Sequence, residues 1–350
     1  LACRHCRGGA TDADYEGELS TQEAFKLLDN IATFAQPVIV ILTGGEPMSR
    51  SDVYDIASHG TRLGLRMVMS PCGQLIDDIA AEKIKESGIA KISLSIDGAT
   101  AATHDSFRNV PGAFNSTIRG IQVLRRYGID FQINTTVTKL NVDELPQILD
   151  LAVSLGASAF HPFMLVPTGR AADLVNIELT PDEYEKTLEW VRERSAEVDI
   201  FFKPTCAPHY HRIIRQKVGT TKMHPGAHSA SAGRSQHSVA TTSMSALSRG
   251  CTGGISFAFI SHTGDVQICG FLPIVCGNVR HTGLNFVKIW NESEVFNTLR
   301  DYKRLGGKCG VCEFVNVCGG CRARAYAIAG DFLGPEPYCS YVPGERINQS

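Results

Sequence analysis

Long apolar runs are missing from this sequence. The longest, such as Val38-Ile39-Val40-Ile41-Leu42, are far too short to cross a bilayer, so no membrane span is expected. Charge of one sign is missing as well. Lys and Arg number 34 against 36 Asp and Glu, a formal net charge of -2, and no basic field marks the chain for nucleic acid. The basic start, apolar stretch and small-residue cleavage site of a secretory signal do not occur, and the chain opens at Leu1. No internal repeat is visible. With 43% hydrophobic and 20% charged residues the composition is that of a folded globule, and 350 residues suit one large core with an accessory domain.

Cysteine is what the chain has in excess. Of twelve, Cys3 and Cys6 stand at the front, Cys72 and Cys206 stand alone, and eight fall between Cys251 and Cys339. Disulfide frameworks belong mostly to small secreted domains that lack a core, and this chain has ample core. Metal or cluster ligation is therefore expected.

From Ser20 to about Glu197, β-branched apolar runs alternate with amphipathic helices. Ser20-Thr21-Gln22-Glu23 reads as a capping box opening a helix. Strands are expected at Pro37–Leu42, Leu65–Ser70, Lys91–Ile96, Ile129–Val137 and Ser158–Leu165. Between them fall helices near Ser51–Gly64, Asp77–Ser87, Phe114–Tyr127 and Val142–Leu155, and another starts at Thr180-Pro181. Strand and helix in alternation with short links mean parallel strands and right-handed crossovers. Ligands collect at the carboxyl ends of such strands. From Val218 to Arg249 the composition turns to Ser, Ala, Thr, Gly and His without periodicity, a surface insertion carrying His224, His228 and His237.

Chemistry-bearing strings sit where the strands should end. Thr43-Gly44-Gly45-Glu46-Pro47 follows one strand, Ser93-Leu94-Ser95-Ile96-Asp97-Gly98 closes another, and Asn134-Thr135-Thr136-Val137 a third. Cys3-Arg4-His5-Cys6 alone fits a redox pair, a zinc half-site or a cluster ligand equally. In this company it resembles the radical S-adenosylmethionine (SAM) superfamily, whose hallmark is C-x3-C-x2-C with an aromatic residue before the last cysteine. Cys3 and Cys6 match the second and third ligands, with His5 as the aromatic. The first would fall two positions ahead of Leu1, so the first strand and first ligand are expected upstream of Leu1. The resemblance implies an α/β fold: a partial (β/α)6 TIM-like barrel over residues 1–200, a linker over 201–250 and an auxiliary domain over 251–350. Cys3 and Cys6 would then hold a catalytic [4Fe–4S] cluster that leaves one iron open for SAM. Gly44, Gly45, Glu46 and Pro47 would meet the SAM ammonium, Ser95 and Asp97 its ribose, Arg108 its carboxylate, with Asn134 as a further contact. Cys72 would line the pocket.

The strongest pattern lies near the carboxyl end. Cys251 is followed after twelve residues by Gly264 and after four more by Cys269. Then come Cys309-x2-Cys312, five residues, Cys318-x2-Cys321, and Cys339. A zinc ribbon needs roughly 15–20 residues between its knuckles, and five cannot form that hairpin. The tail is similar to the SPASM domain, departing from it only in x2 where x3 is usual. That similarity implies two further [4Fe–4S] clusters: one on Cys309, Cys312, Cys318 and Cys339, the other on Cys251, Cys269 and Cys321, with Cys276 or a non-protein group as fourth ligand. Oxygen attacks such clusters, so a reducing, anaerobic cytoplasm is implied, with reduced ferredoxin or flavodoxin as electron donor.

Three more strings, Phe160-His161-Pro162-Phe163-Met164 through Arg170, Lys203-Pro204-Thr205-Cys206 through Arg212, and Cys318 through Tyr326, resemble the tetrapyrrole-modifying branch of that family. The resemblance implies oxidative decarboxylation of two propionates of iron-coproporphyrin III to vinyl groups. Phe163 and Met164 would wall the ring. Arg170, Lys203 and Arg212 would meet its carboxylates, and His161, His209 or His211 its iron, with Cys206 a pocket residue or a cluster ligand. Rival readings are the deacetylation of a related tetrapyrrole, heme d1 synthesis, peptide maturation, and a zinc or regulatory protein without catalysis.

Overall fold

The computed structural model describes residues 3–8, 10, 15–34, 36–220 and 250–344. Of the expected surface insertion, residues 221–249 with His224, His228 and His237 lie outside the described residues.

Helix α1 (Thr21–Ile31) begins as expected: Ser20 Oγ accepts from the Glu23 amide, and Glu23 Oε2 accepts from the Ser20 amide at 2.8 Å. Strand and helix then alternate as β1 (Ile39–Leu42), α2 (Val53–Arg62), β2 (Arg66–Met69), α3 (Asp78–Glu86) and β3 (Ile92–Ser95). Two helices follow, α4 (Ala101–Arg108) and α5 (Ala113–Arg126), then β4 (Phe131–Val137), α6 (Leu145–Ser154), β5 (Ala159–Met164) and α7 (Pro181–Arg194). Two elements fall inside the stretch expected to be a linker: β6 (Phe201–Phe202) and α8 (His209–Thr220). β6 pairs with β5, so the sheet runs one strand past residue 200. All six strands are parallel and stand in the order β1 to β6.

Alternation along β4 shows how the sheet uses its two faces. Phe131, Ile133, Thr135 and Val137 are buried, whereas Gln132, Asn134 and Thr136 are half-buried. Ile133, Leu94 and Phe160 are fully enclosed in a core with residues of α5, α6 and α7. Each such side chain contributes about 1.5–3 kcal/mol over leaving it in water. The register aligns Ser95 with Asn134 and Asn134 with His161, so a polar row crosses three strands on the face turned away from the helices.

The carboxyl-terminal part holds a small antiparallel sheet, β7 (Phe259–Ile260), β8 (Asp265–Gln267) and β9 (Gly277–Asn278). Short helices follow: α9 (Phe286–Glu292), α10 (Glu294–Arg300), α11 (Gly307–Gly310) and α12 (Arg322–Ala329). A second apolar core joins this part to the barrel, mixing Leu27, Leu28 and Met67 with Val266, Phe286 and Phe296. Among the described residues no helix is long and apolar enough to cross a membrane.

Candidate functional site

The front cysteines lie in a turn closed by the Cys6 amide donating to the Cys3 carbonyl at 3.2 Å. Arg108, at the end of α4, reaches them: its Nη1 stands 3.9 Å from Cys3 Sγ while its Nε donates to Asp97 Oδ2 at 2.7 Å. Asp97 is fully buried, accepts from the Thr136 amide at 2.7 Å, and lies 3.6 Å from His5 Nε2. Burial, the largest single influence, would raise this carboxyl, but Arg108 together with His5, His104 and the Thr136 amide overcomes it and holds Asp97 below its ordinary range. Asp97 was expected on a ribose. The structure instead commits both its oxygens to the protein, because a carboxylate without solvent needs its own donors.

Arg170 is placed differently from its expected role as a substrate donor. From the turn after β5 its Nε donates to the Cys3 carbonyl at 3.0 Å, its Nη1 to the Ala10 carbonyl at 2.8 Å, and its amide to the Cys6 carbonyl at 3.0 Å. It is a clamp on the cysteine turn. Gly169 makes the approach possible: at φ 61° a Cβ would stand 2.1 Å from the Arg7 carbonyl oxygen. Arg7 in turn donates to the Gly270 carbonyl at 3.2 Å and covers the Phe259 ring at 4.4 Å, tying the turn to the antiparallel sheet.

At the end of β1, Gly44 has φ 139° and open space where a Cβ would point. Glu46 Oε1 accepts from the Met48 amide at 3.0 Å, capping a short 3-10 turn over Pro47–Ser49, and its Oε2 accepts from the Cys72 amide at 2.7 Å. One carboxylate thus orders the loops after β1 and β2 together. The Cys72 thiol is pushed up to about 12, first by burial and then by the Glu46 charge, and is inert as a nucleophile. In the polar row, Asn134 Oδ1 accepts from Gln132 Nε2 at 3.1 Å, and His161 Nδ1 donates to the Lys203 carbonyl at 3.1 Å. Burial lowers His161 to about 4, leaving a neutral imidazole with its other nitrogen able to accept or ligate. Phe163 shares this face, and the Phe201 ring is 5.5 Å from that of His161. Met164, expected as a second wall, is 2% exposed and points into the core, one residue out of phase with Phe163.

The cysteines near the carboxyl end gather in two sets. Cys309, Cys312, Cys318 and Cys339 line one cavity together with His209 and Arg212. The Glu336 amide donates to Cys309 Sγ at 3.3 Å and the Phe314 amide to Cys312 Sγ at 3.4 Å. Cys321 caps α12, and its amide donates to Glu336 Oε2 at 2.7 Å. Cys251 bears on Cys269 and on Cys321, both of which are raised chiefly by burial. The Cys269, Cys312, Cys318, Cys321 and Cys339 thiols are raised first by burial and further by neighbouring acidic groups, cysteines among them, so they are neutral donors that a positive charge would ionise. Iron supplies it, and amide donors aimed at sulfur are what a cluster's thiolates accept. The donor sets therefore fit iron–sulfur clusters. Among the described residues no three His, Cys, Asp or Glu close around a single point as one metal ion requires. A cubane holds its thiolates on separate corners and asks for a wider set. Cys276 belongs to neither set: its thiol donates to the Ile274 carbonyl at 3.5 Å, and no other cysteine bears on it.

His209, His211 and Arg212 are buried on α8, away from the polar row. Arg212 pairs with Glu185, donates to Gln216 Oε1 at 2.6 Å and lines the cavity of the Cys309 set. Sequence reasoning passed over Arg324 and Glu336. Arg324 is fully buried on α12, donates to the carbonyls of Leu165 at 2.8 Å, Cys206 at 3.1 Å and Met164 at 3.2 Å, and lies 3.4 Å from Glu336. The signal was an Arg-x-Arg pair opening a helix after the Cys-x2-Cys, where a basic side chain opposes the helix dipole and needs another reason to be there.

Residues 1–152 match the radical SAM superfamily, and residues 251–313 match SPASM, described as an iron-sulfur cluster-binding domain. The chain is 46% identical over 346 residues to the AdoMet-dependent heme synthase of Methanosarcina barkeri, covering 99% of this chain and 94% of that protein. It is 48% identical over 347 residues to the protein of the same description from Nitratidesulfovibrio vulgaris, covering 98% and 89%. Among solved structures, SuiB of Streptococcus suis bound to S-adenosylmethionine superposes with a TM-score of 0.70 at 15% identity, over 97% of this chain and 74% of that one.

Proposed function

This chain belongs to the radical SAM superfamily and carries a SPASM iron–sulfur domain, and on that footing we propose that it acts in heme synthesis, converting two propionates of iron-coproporphyrin III to vinyl groups. What supports the reading most is the 46% identity, over 99% of the chain, to a protein described as an AdoMet-dependent heme synthase. When bound, a [4Fe–4S] cluster held by Cys3 and Cys6 together with SAM would supply hydrogen-atom abstraction at the carbon β to the carboxylate, and clusters held by the carboxyl-terminal cysteines would supply an acceptor for the one electron released with carbon dioxide.

The chain's own residues position these groups. Cys3 and Cys6 present thiols, with Arg170 fixing their turn and Arg108 holding positive charge beside Cys3. Gly44 leaves room for close approach at the end of β1, and the ordered Glu46 loop frames it. On the helix-free face Phe163 and Phe201 offer apolar surface to a flat ring. Neutral His161 is a ligand for its iron, and Lys203 a charge-assisted donor for a carboxylate at the rim. A reduced ferredoxin or flavodoxin supplies the starting electron.

The test is anaerobic incubation of the cluster-loaded protein with iron-coproporphyrin III, SAM and a reductant, followed by chromatography and mass spectrometry of the porphyrins. The expected products lose two carbon dioxide units and gain two vinyls. Protein that cleaves SAM yet returns the tetrapyrrole unchanged would refute this reading.

A further inference from the structure

Cys206 sits among the three cysteines of the incomplete set. It follows β6 on a segment whose next residues pack against the entry to Cys251: a Cβ on Gly250 would stand 2.7 Å from Pro208 Cα. Its carbonyl is held from two sides, by Tyr184 Oη at 3.0 Å and by Arg324 Nη2 at 3.1 Å. Arg324 lies one helical turn beyond Cys321, so the bond sets Cys206 against the start of α12. Cys206, Cys269, Cys276 and Cys321 all pack in one apolar cluster, but what separates Cys206 from Cys276 is the company of its thiol: Cys321, Cys269, Arg324 and Cys251 bear on it, and no cysteine bears on that of Cys276.

The backbone gives a second and independent sign. Cys206 has φ 56°, a left-handed conformation shared among the described non-glycine residues only by Asn109 and Leu284. An L-residue with a side chain is strained there, and asparagine or glycine is the ordinary occupant. Two hydrogen bonds to one carbonyl over-determine this conformation and hold the residue in place.

We propose that Cys206 is the fourth thiolate of the first auxiliary cluster, completing Cys251, Cys269 and Cys321 from 45 residues upstream of the first of them. All four ligands of that cluster then come from the protein, none of its irons is open to substrate, and it works by electron transfer alone. The inference rests on the SPASM domain holding clusters and is independent of which tetrapyrrole is the substrate.

Cys206→Gly tests it, because glycine adopts the left-handed conformation freely and removes the thiol without new strain. The variant is made in full-length protein carrying Cys3→Ala and Cys6→Ala, so that only auxiliary clusters report. Iron, sulfide and the electron paramagnetic resonance (EPR) spectrum are measured after anaerobic loading. The parent should hold about eight irons, two cubanes of four. Cys206→Gly should either lose about four of them or show the signal of a three-iron cluster, with the spectrum of the Cys309 set unchanged. Added small thiol should restore the lost cluster. Cys206→Ser should keep four irons at that site with a lowered potential, since alkoxide is a harder donor than thiolate. Cys276→Ala should change nothing. Full iron and an unaltered spectrum in Cys206→Gly would overturn the proposal, as would loss of that cluster in Cys276→Ala. Loss of both clusters in Cys206→Gly would also count against it, since it would mean that the residue supports the fold rather than one cluster.

Discussion

Arg324→Met would break the join between barrel and auxiliary domain. The guanidinium is fully buried, bonds three carbonyls at the end of β5 and the loop after β6, and lies 3.4 Å from Glu336 and 3.7 Å from Glu178. Methionine fills similar volume but leaves those carbonyls without donors and strands a buried anion. Removing one partner of a buried ion pair costs about 3–5 kcal/mol, most of it the desolvation of what remains. The two acids are not equivalent. Burial is the largest influence on both and works to raise them; at Glu336 it is overcome by Arg324 together with His209 and the Cys321 and Tyr338 amides, so that carboxyl is lowered, whereas at Glu178 the Tyr338 hydrogen bond and Arg324 do not overcome it and the carboxyl is raised. Glu336 is therefore the anion that Arg324 neutralises. Amide hydrogen exchange reads the loss at the two sides of the join: the Met164 amide donates to the Thr205 carbonyl on the barrel side, and the Ala325 amide to the Cys321 carbonyl on the α12 side. Their exchange should quicken by roughly two to nearly four decades at neutral pH. Arg324→Met with Glu336→Gln should recover much of that, and the single variant's defect should shrink in acid as Glu336 takes a proton. An increase below tenfold, or no recovery in the double variant, would refute the assignment.

Arg170→Met should lower front-cluster iron while leaving auxiliary iron and the KM for the tetrapyrrole unchanged, since Arg170 holds the Cys3 and Cys6 turn; a raised KM with full iron would return it to the substrate. His161→Ala should raise that KM by tenfold or more while SAM cleavage in the absence of tetrapyrrole persists, which steady-state kinetics and product analysis separate. His104 is fully buried and burial lowers it to about 4, so its contribution to stability is complete above its unfolded value near 6.5 and is lost as pH falls toward 4. His104→Gln should flatten the acid side of a stability profile measured by urea unfolding. Glu178 has the opposite sign: its raised carboxyl contributes below its unfolded value and loses that contribution as pH rises through the folded one, so Glu178→Gln should stabilise the protein at neutral pH relative to the parent.

What could be read from the sequence was whatever repeats locally. The Ser20–Glu23 capping box and the alternation along Phe131–Val137 are decided by neighbours a few residues apart, and both appear in the structure. β6 escaped because two residues cannot show a period, and α8 because its apolar stripe, Tyr210, Ile213 and Ile214, is short and set among His and Arg. Site residues divide along the same line. A motif names a residue type at a strand end, but burial decides what its polar atoms do. Asp97 and Arg170 stand where a ligand-binding residue would, yet enclosure turned one toward Arg108 and the other toward backbone carbonyls. Cys206 is the sharpest case. Nothing in its spacing from Cys251 links the two, since that distance spans a helix and 29 residues outside the described structure. Only the parallel pairing of β6 with β5, together with Arg324 reaching back from α12, brings its carbonyl and then its sulfur to the other three cysteines. A ligand contributed from so far upstream makes loading of that cluster depend on the barrel being closed first. The order of assembly is then set by topology, which sequence spacing does not express.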